Sequence, residues 1–420
     1  MRRPMKYKDD LDDAALLELI QRQTFRYFWD FAHPISKLAR DRSDPRPSFD
    51  PEVVATGASG FGIMAIIVAV ERGWISRTAA TDRLLGIVHF LEKAQRHHGV
   101  FPHFMHGTTG ATIPFSGKDD GGDIVETSYL CMGLLSARQY FARDTAKENK
   151  LRAKINALWQ DVEWSWHTRG GAKALYWHWS PRYAWDIGLE IRGWNECLIT
   201  YVLAASSPSH AIAADAYHRG WAEGAQFRNG KEFYGVCLPL GPDYGGPLCF
   251  AHYSFLGLDP RGLKDRYADY WEQNVNHTLI NREHCIRNPG QFKGYGRDCW
   301  GLTASDDHLG YHAHDPAHDL GVISPTAALS SFPYTPEHSM RALRHFYYGL
   351  GSKIWSEYGF VDAFSETLDW CAPSHIGIDQ GPIIVMIENY RSGLLWKLFM
   401  SCPEVQRSLR SLDFESPAIG

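Results

Sequence analysis

Two kinds of hydrophobic pattern alternate along the chain. Segments 12–32, 77–97, 145–167, 210–223, 263–282 and 336–358 repeat apolar positions at a helical period and carry charge on the opposite face, which predicts helices with one side in water. Between them lie 56–70, 124–141, 194–205, 247–256, 324–331 and 380–399, rich in small residues and apolar nearly all round. A helix with so little polar surface is stable only when neighbours enclose it. Six of each kind in strict alternation predict six helical hairpins, none able to bury its own apolar face. A ring of six inner and six outer helices satisfies all of them, so the expected fold is all-α, an (α/α)6 toroid. An open helical solenoid is the alternative and requires polar capping helices at both ends. Strand signals are few. A closed ring also lets residues 1–420 form a single domain, although 420 residues exceed the usual size of one core.

Composition narrows the function. A formal net charge of -5 with no basic block excludes nucleic acid as a partner. The longest apolar run, 60–70, is far short of the roughly 20 residues of a membrane span. The N-terminus begins with Arg2 and Arg3 but has no signal-like apolar stretch, which predicts a cytoplasmic protein, or a periplasmic or secreted one whose signal has been removed. Eight cysteines are widely spaced without a C-x-x-C pair, the pattern of buried thiols. Fifteen Trp residues exceed what a core calls for and point to sugar stacking beside core filling.

Long glycine-rich loops, 113–123, 176–194 and 294–318, lead into the inner helices and carry clustered acids and aromatics. Loops of that length in a compact domain are usually functional. Asp123 and Glu126 share one helix face at i,i+3 spacing. The same pattern makes a capping box, but Asp119 and Asp120 crowd it, and crowded acids shift pKa values. Glu196 opens another apolar helix, where the helix dipole favours any acid. Its sequence neighbours Trp194, Trp185 and Arg192 suggest a desolvated carboxyl, which a general acid requires near neutral pH. Asp379 heads the last inner helix, followed by Pro382, as caps favour. Glu388 and Arg391 are spaced for an i,i+3 ion pair. The run 306–318 holds four His and several Asp, but His312 and His314 lack the i,i+4 pairing of a zincin. It reads as a polar substrate-binding loop, with no metal. No G-x-S-x-G or P-loop is present.

Four motifs, TFRYFWDFAHP from Thr24, DGGDIVET from Asp120, RGWNE from Arg192 and IDQGPIIVMIENYRSGLLWKLFM from Ile378, resemble the bacterial glycoamylase-like domain. That domain includes the endo-β-1,2-glucanases of glycoside hydrolase family 144, and the resemblance spans residues 16–400. It implies an (α/α)6 toroid and inverting hydrolysis of β-1,2-glucan or its sophorooligosaccharides. It also implies Glu196 as general acid, with Glu126 or Asp123 as base and Asp379 as the runner-up. Such a reaction needs no cofactor, only two carboxyl groups about 6.5–9.5 Å apart. Trp185, Trp194, Trp300 and Phe364 are expected to stack on pyranose rings, and Arg192, Asp306 and Glu366 to bond hydroxyls. Relatives are typically exported, and no signal is visible here. A sugar epimerase or polysaccharide lyase on the same toroid, and a non-catalytic glycan-binding module, are the other readings. Oligomeric state stays open.

Overall fold

The alternation emerges as pairs of helices in the computed structural model, which describes residues 10–46 and 48–419; Arg2 and Arg3 lie outside the described residues. Polar-faced α1 (Asp13–Trp29), α3 (Arg77–Leu91) and α5 (Ala146–Gln160) precede apolar α2 (Thr56–Glu71), α4 (Ile124–Tyr140) and α6 (Leu198–Ser206). Later pairs are α7 (Tyr270–Arg287) with α8 (Pro325–Leu329) and α9 (Pro336–Arg344) with α10 (Gly377–Ser392). Two closing helices, α11 (Leu394–Met400) and α12 (Pro403–Ser411), pack against α4 and α6 respectively. Strands are short two- and three-stranded ladders, the longest Arg228–Phe233. No described helix is long and apolar enough to cross a membrane.

Glycines set how closely the inner helices approach. A Cβ on Gly60 would stand 2.2 Å from the Tyr129 carbonyl oxygen, and one on Gly133 2.2 Å from that of Gly60, so α2 and α4 meet backbone to backbone. On the other side of α2, a Cβ on Gly381 of α10 would stand 2.5 Å from Cβ of Phe61. Residues 56–70 and 380–399 are therefore neighbours, as closure demands. The remaining inner elements follow in turn. Ser254 Oγ accepts the N–H of Ile199 in α6 at 3.0 Å, a His252 ring nitrogen meets Ser331 Oγ at 2.9 Å, and Thr326 of α8 donates to the Asp379 carbonyl at 2.7 Å. Outer α1 lies on α10, with Gln21 donating to the Ile384 carbonyl at 2.9 Å.

Several expectations are corrected. The expected inner helix 247–256 is two 3-10 turns, Leu248–Ala251 and Ser254–Leu256. The outer segment 210–223 forms only a π turn, Ala216–Trp221, and 336–358 passes into another, His345–Leu350. Segment 380–399 breaks at Gly393, which adopts the left-handed conformation (φ +68) that glycine permits. Glu388 and Arg391 do not pair with each other. Glu388 faces α2 and takes a bidentate bond from Arg72 at 2.7 and 2.8 Å, whereas Arg391 faces α1 and bonds Glu18 at 3.0 Å. Tertiary neighbours outweigh a helical i,i+3 pair worth about 0.2–0.5 kcal/mol.

Candidate active site

Asp123 closes the two-residue strand Gly122–Asp123, paired with His178–Trp179, and caps α4. Its Oδ1 accepts the N–H groups of Val125 and Glu126 at 3.0 and 2.9 Å. Its Oδ2 faces His103 Nδ1 at 3.2 Å and His178 Nε2 at 3.7 Å. Capping and chemistry are therefore not alternatives at this residue. Burial opposes its charge, but the imidazoles and the helix N-terminus prevail, holding the carboxyl below its ordinary range. For His103 too burial works against the charge, and Glu126 and Asp123 overcome it, raising the pKa to about 9.

Glu126 is buried and accepts the Gly57 N–H, in the first turn of α2, at 2.7 Å. Burial raises its pKa to about 7, against His103 and with Asp123. Asp119, 3.3 Å from His178, rises to about 6 through burial and the charge of Asp123.

Glu196 lies two residues before α6 rather than in its first turn. The side chains expected to tune it point elsewhere. Trp194 is buried among Trp221, Phe227, Phe255 and Tyr270, and Arg192 is exposed, bonding Glu190 and the Gly220 carbonyl. Burial itself raises Glu196 to about 7, its own N–H lowers it, and the charge of Asp123 raises it further. Trp185 is half-buried against Trp166, His167 and Tyr176.

Asp379, in the first turn of α10, accepts the Tyr253 hydroxyl at 3.1 Å. It is hydrogen-bonded to a carboxyl that sequence reading missed, Asp362, whose Oδ2 accepts the Asp306 N–H at 2.7 Å. Asp306 in turn takes Arg42 on both oxygens at 3.1 Å and the Ser374 hydroxyl. Burial raises both acids of the pair, Asp379 to about 7 and Asp362 well above the carboxylate range, so Asp362 holds the proton that binds Asp379. The charges of Glu196 and Asp379 both act on the Cys249 thiol, and those of Glu196 and Glu126 on the Tyr129 hydroxyl. Glu126, Glu196 and Asp379 thus gather around Tyr129, Cys249 and Tyr253, and the charge of Asp123 reaches Glu196.

Other expected contacts are corrected. Trp300 is fully buried, and Phe364, in the strand Phe364–Ser365, packs in the core against Phe346. Neither offers a free ring face. Asp306 spends its carboxylate on Arg42 and Ser374, and Glu366 sits against Gly294, among groups apart from the acids. The aromatic candidates are instead Phe115, exposed and 4.3 Å from the His103 ring, and Tyr311. Tyr311 leaves 45% of its surface exposed while its hydroxyl senses Asp379 and Asp362. It stands in the hairpin of Ala304–Asp306 with Tyr311–Ala313, within the His-rich run. There His312 and His314 face Asp307, at 2.7 and 3.4 Å, and His318 faces Asp315 at 3.2 Å. Among the described residues, the groupings with metal-ligand geometry are Asp119–Asp123–His178 and Cys299–His345–Glu366, and neither draws on that run.

A scaffold just under half helical, with only short strands, gathers buried carboxyls of opposed protonation at the heads of its inner elements. Residues 188–403, just over half of the chain, match the Glycoamylase family model, described as "Putative glucoamylase". The chain belongs to that family. It is 56% identical to a Bacteroides uniformis structure of the same glucoamylase description, covering 98% of this chain and 100% of that one with a TM-score of 0.96. It is 55% identical to the endo-β-1,2-glucanase of Chitinophaga pinensis, solved with sophorotriose and glucose, covering 97% and 100% with a TM-score of 0.95. A curated relative, the exo β-1,2-glucooligosaccharide sophorohydrolase (non-reducing end) of Parabacteroides distasonis, is 48% identical over 96% of this chain. The chain spans 58% of that relative's length.

Proposed function

We propose that this protein is an inverting glycoside hydrolase that cleaves β-1,2-glucan or sophorooligosaccharides, built as one (α/α)6 toroidal domain. The observation that carries the reading is a pair of carboxyls tuned in opposite directions within one group. Glu196, neutral up to about pH 7, is suited to protonate the glycosidic oxygen, while Asp123, ionised and held by two histidines, is suited to activate water. Substrate names carried by the Chitinophaga and Parabacteroides relatives support the linkage. Glu126 is a weaker base candidate because burial keeps it protonated to about pH 7 and its Oε2 is committed to Gly57. Asp379 remains the runner-up: burial raises it to about 7, as it does Glu126, but the hydrogen bond with Asp362 works toward its ionised form. Phe115, Tyr311 and Trp185 supply the aromatic surface for pyranose rings, in place of Trp194, Trp300 and Phe364.

Release of reducing sugar from linear β-1,2-glucan, but not from β-1,3- or β-1,4-glucans, tests the substrate. Proton NMR of the first product anomer tests inversion. The two relatives differ in being named endo and exo, and thin-layer chromatography separates those modes here: a ladder of oligosaccharides for endo attack, sophorose from the outset for exo attack. An unsaturated product or unchanged chain length would replace the reading with a lyase or an epimerase.

A further inference from the structure

Away from the carboxylate group, three segments bring unlike side chains to one point. Cys299 comes from the loop before α8, His345 opens the π turn after α9, and Glu366 sits in the turn between the strands Phe364–Ser365 and Trp370–Cys371. One ligand atom from each lies within 4.8 Å of the other two. The imidazole Nε2 of His345 is buried without a hydrogen-bond partner. Glu366 makes no side-chain hydrogen bond or ion pair among the described residues, although its oxygen lies where a Cβ on Gly294 would stand, 2.0 Å away. Glu366 is partly exposed, so its carboxylate stays open to a cation entering from solvent. Thiolate, imidazole and carboxylate are the donors of a tetrahedral site for a metal of zinc's softness, with the fourth position for water. Around such an ion, sulfur and nitrogen donors stand about 3.5 Å apart, so a closure of about 1 Å suffices. Thiolate and carboxylate together match a divalent charge.

We propose that Cys299, His345 and Glu366 form a structural site for a zinc-like divalent cation, clipping the loop before α8, the end of α9 and the 364–371 hairpin together. The clip is independent of the sugar chemistry, because none of its ligands belongs to the acid group.

The test begins with full-length protein expressed with added Zn²⁺ and desalted, which should carry about one zinc per chain by plasma emission spectrometry. After stripping with a chelator, Co²⁺ alone should produce thiolate-to-cobalt charge-transfer absorption. Cys299→Ser should abolish that band. Glu366→Gln, which keeps the thiol and nearly the same volume, should weaken Co²⁺ binding by at least about tenfold and serves if the serine variant fails to fold. Cys371→Ser, at an exposed thiol near Glu366, should leave the band intact. Zn²⁺ should raise the Tm of stripped wild type but not of Cys299→Ser, with glucan hydrolysis equal in stripped and loaded protein. Absence of both stoichiometric zinc and the thiolate band in wild type would overturn the proposal, as would a band that survives Cys299→Ser or is lost in Cys371→Ser. Loss of hydrolysis on stripping would overturn the structural role. Metal content and absorption do not depend on glucan cleavage, so failure of the hydrolase reading leaves them unmoved.

Discussion

Asp123 and Asp379 stand at the heads of α4 and α10, the two helices that flank α2, yet they hold their protons differently. Both are buried, and burial alone drives a carboxyl toward its neutral form. Asp123 meets two imidazoles and two backbone N–H groups, and these keep it ionised. Asp379 meets a tyrosine hydroxyl and a second carboxyl, and its pKa is pushed up to about 7. Position on a helix therefore does not decide a carboxylate's task; the charge of what lies opposite does. Glu196 completes the contrast, because among the described residues no cation acts on it and the charge that does, Asp123, repels its ionised form.

The largest expected effect falls on Glu196. Glu196→Gln keeps the shape and removes the proton, so turnover of β-1,2-glucan should drop by about 10² to 10⁴ while calorimetric binding of a sophorooligosaccharide is retained. Undiminished turnover would move the acid role elsewhere and dissolve the contrast with Asp123.

The pH profile separates the two bases. With Asp123 as base and Glu196 as acid, kcat/KM should be flat from about pH 4.5 to 6.5 and fall tenfold per unit above about 7, where Glu196 loses its proton. With Asp379 as base, both groups titrate near 7, and the profile should narrow to a peak there, already down by at least about tenfold at pH 5. Asp362→Asn sharpens the test by removing the carboxyl bound to Asp379. Only in the second case should it displace the acidic limb.

A smaller effect belongs to Tyr311, whose hydroxyl feels the charges of Asp379 and Asp362 while the residue stays partly exposed. Tyr311→Phe keeps the stacking face and loses the hydroxyl. An increase in KM of about fivefold to tenfold with little change in kcat is expected if that hydroxyl bonds a sugar, the worth of about one hydrogen bond.

The four acids and the helical alternation were legible because each follows a local rule. An acid before an apolar run marks a helix head, and inner helices that start at one end bring their heads together. Asp362 was not legible. It sits in a short loop stretch, Phe360-Val-Asp-Ala-Phe364, with no spacing to mark it, and acquires its meaning only when the fold sets it against Asp379. Trp194 and Trp300 failed for the opposite reason. Their type suggested sugar stacking, but both large apolar rings are buried in the core, which sequence proximity to a loop cannot reveal. Arg192 lies four residues from Glu196, yet it turns outward to Glu190.

The subtlest expectation is a difference of sign in stability. Asp123 has a folded pKa below its unfolded value of about 3.9. Its contribution is present above that value and fades as pH falls through the folded pKa. Asp379 has a folded pKa raised to about 7, so its contribution is complete below about pH 4 and disappears as pH rises through 7. At pH 8 the wild type must therefore keep a buried carboxylate ionised at Asp379, and Asp379→Asn relieves it. Asp123→Asn at the same pH removes a charge that His103, still protonated below about pH 9, holds in place. Thermal melts at pH 8 should show Asp123→Asn below wild type and Asp379→Asn above it, each by about 1 °C, on the order of 1 kcal/mol. At pH 4.5 the advantage of Asp379→Asn should vanish, because the wild-type carboxyl is then neutral, whereas Asp123→Asn should remain the less stable. Equal shifts of one sign at pH 8 would mean that the two helix heads are alike, and the contrast on which the acid and base assignments rest would fall with them.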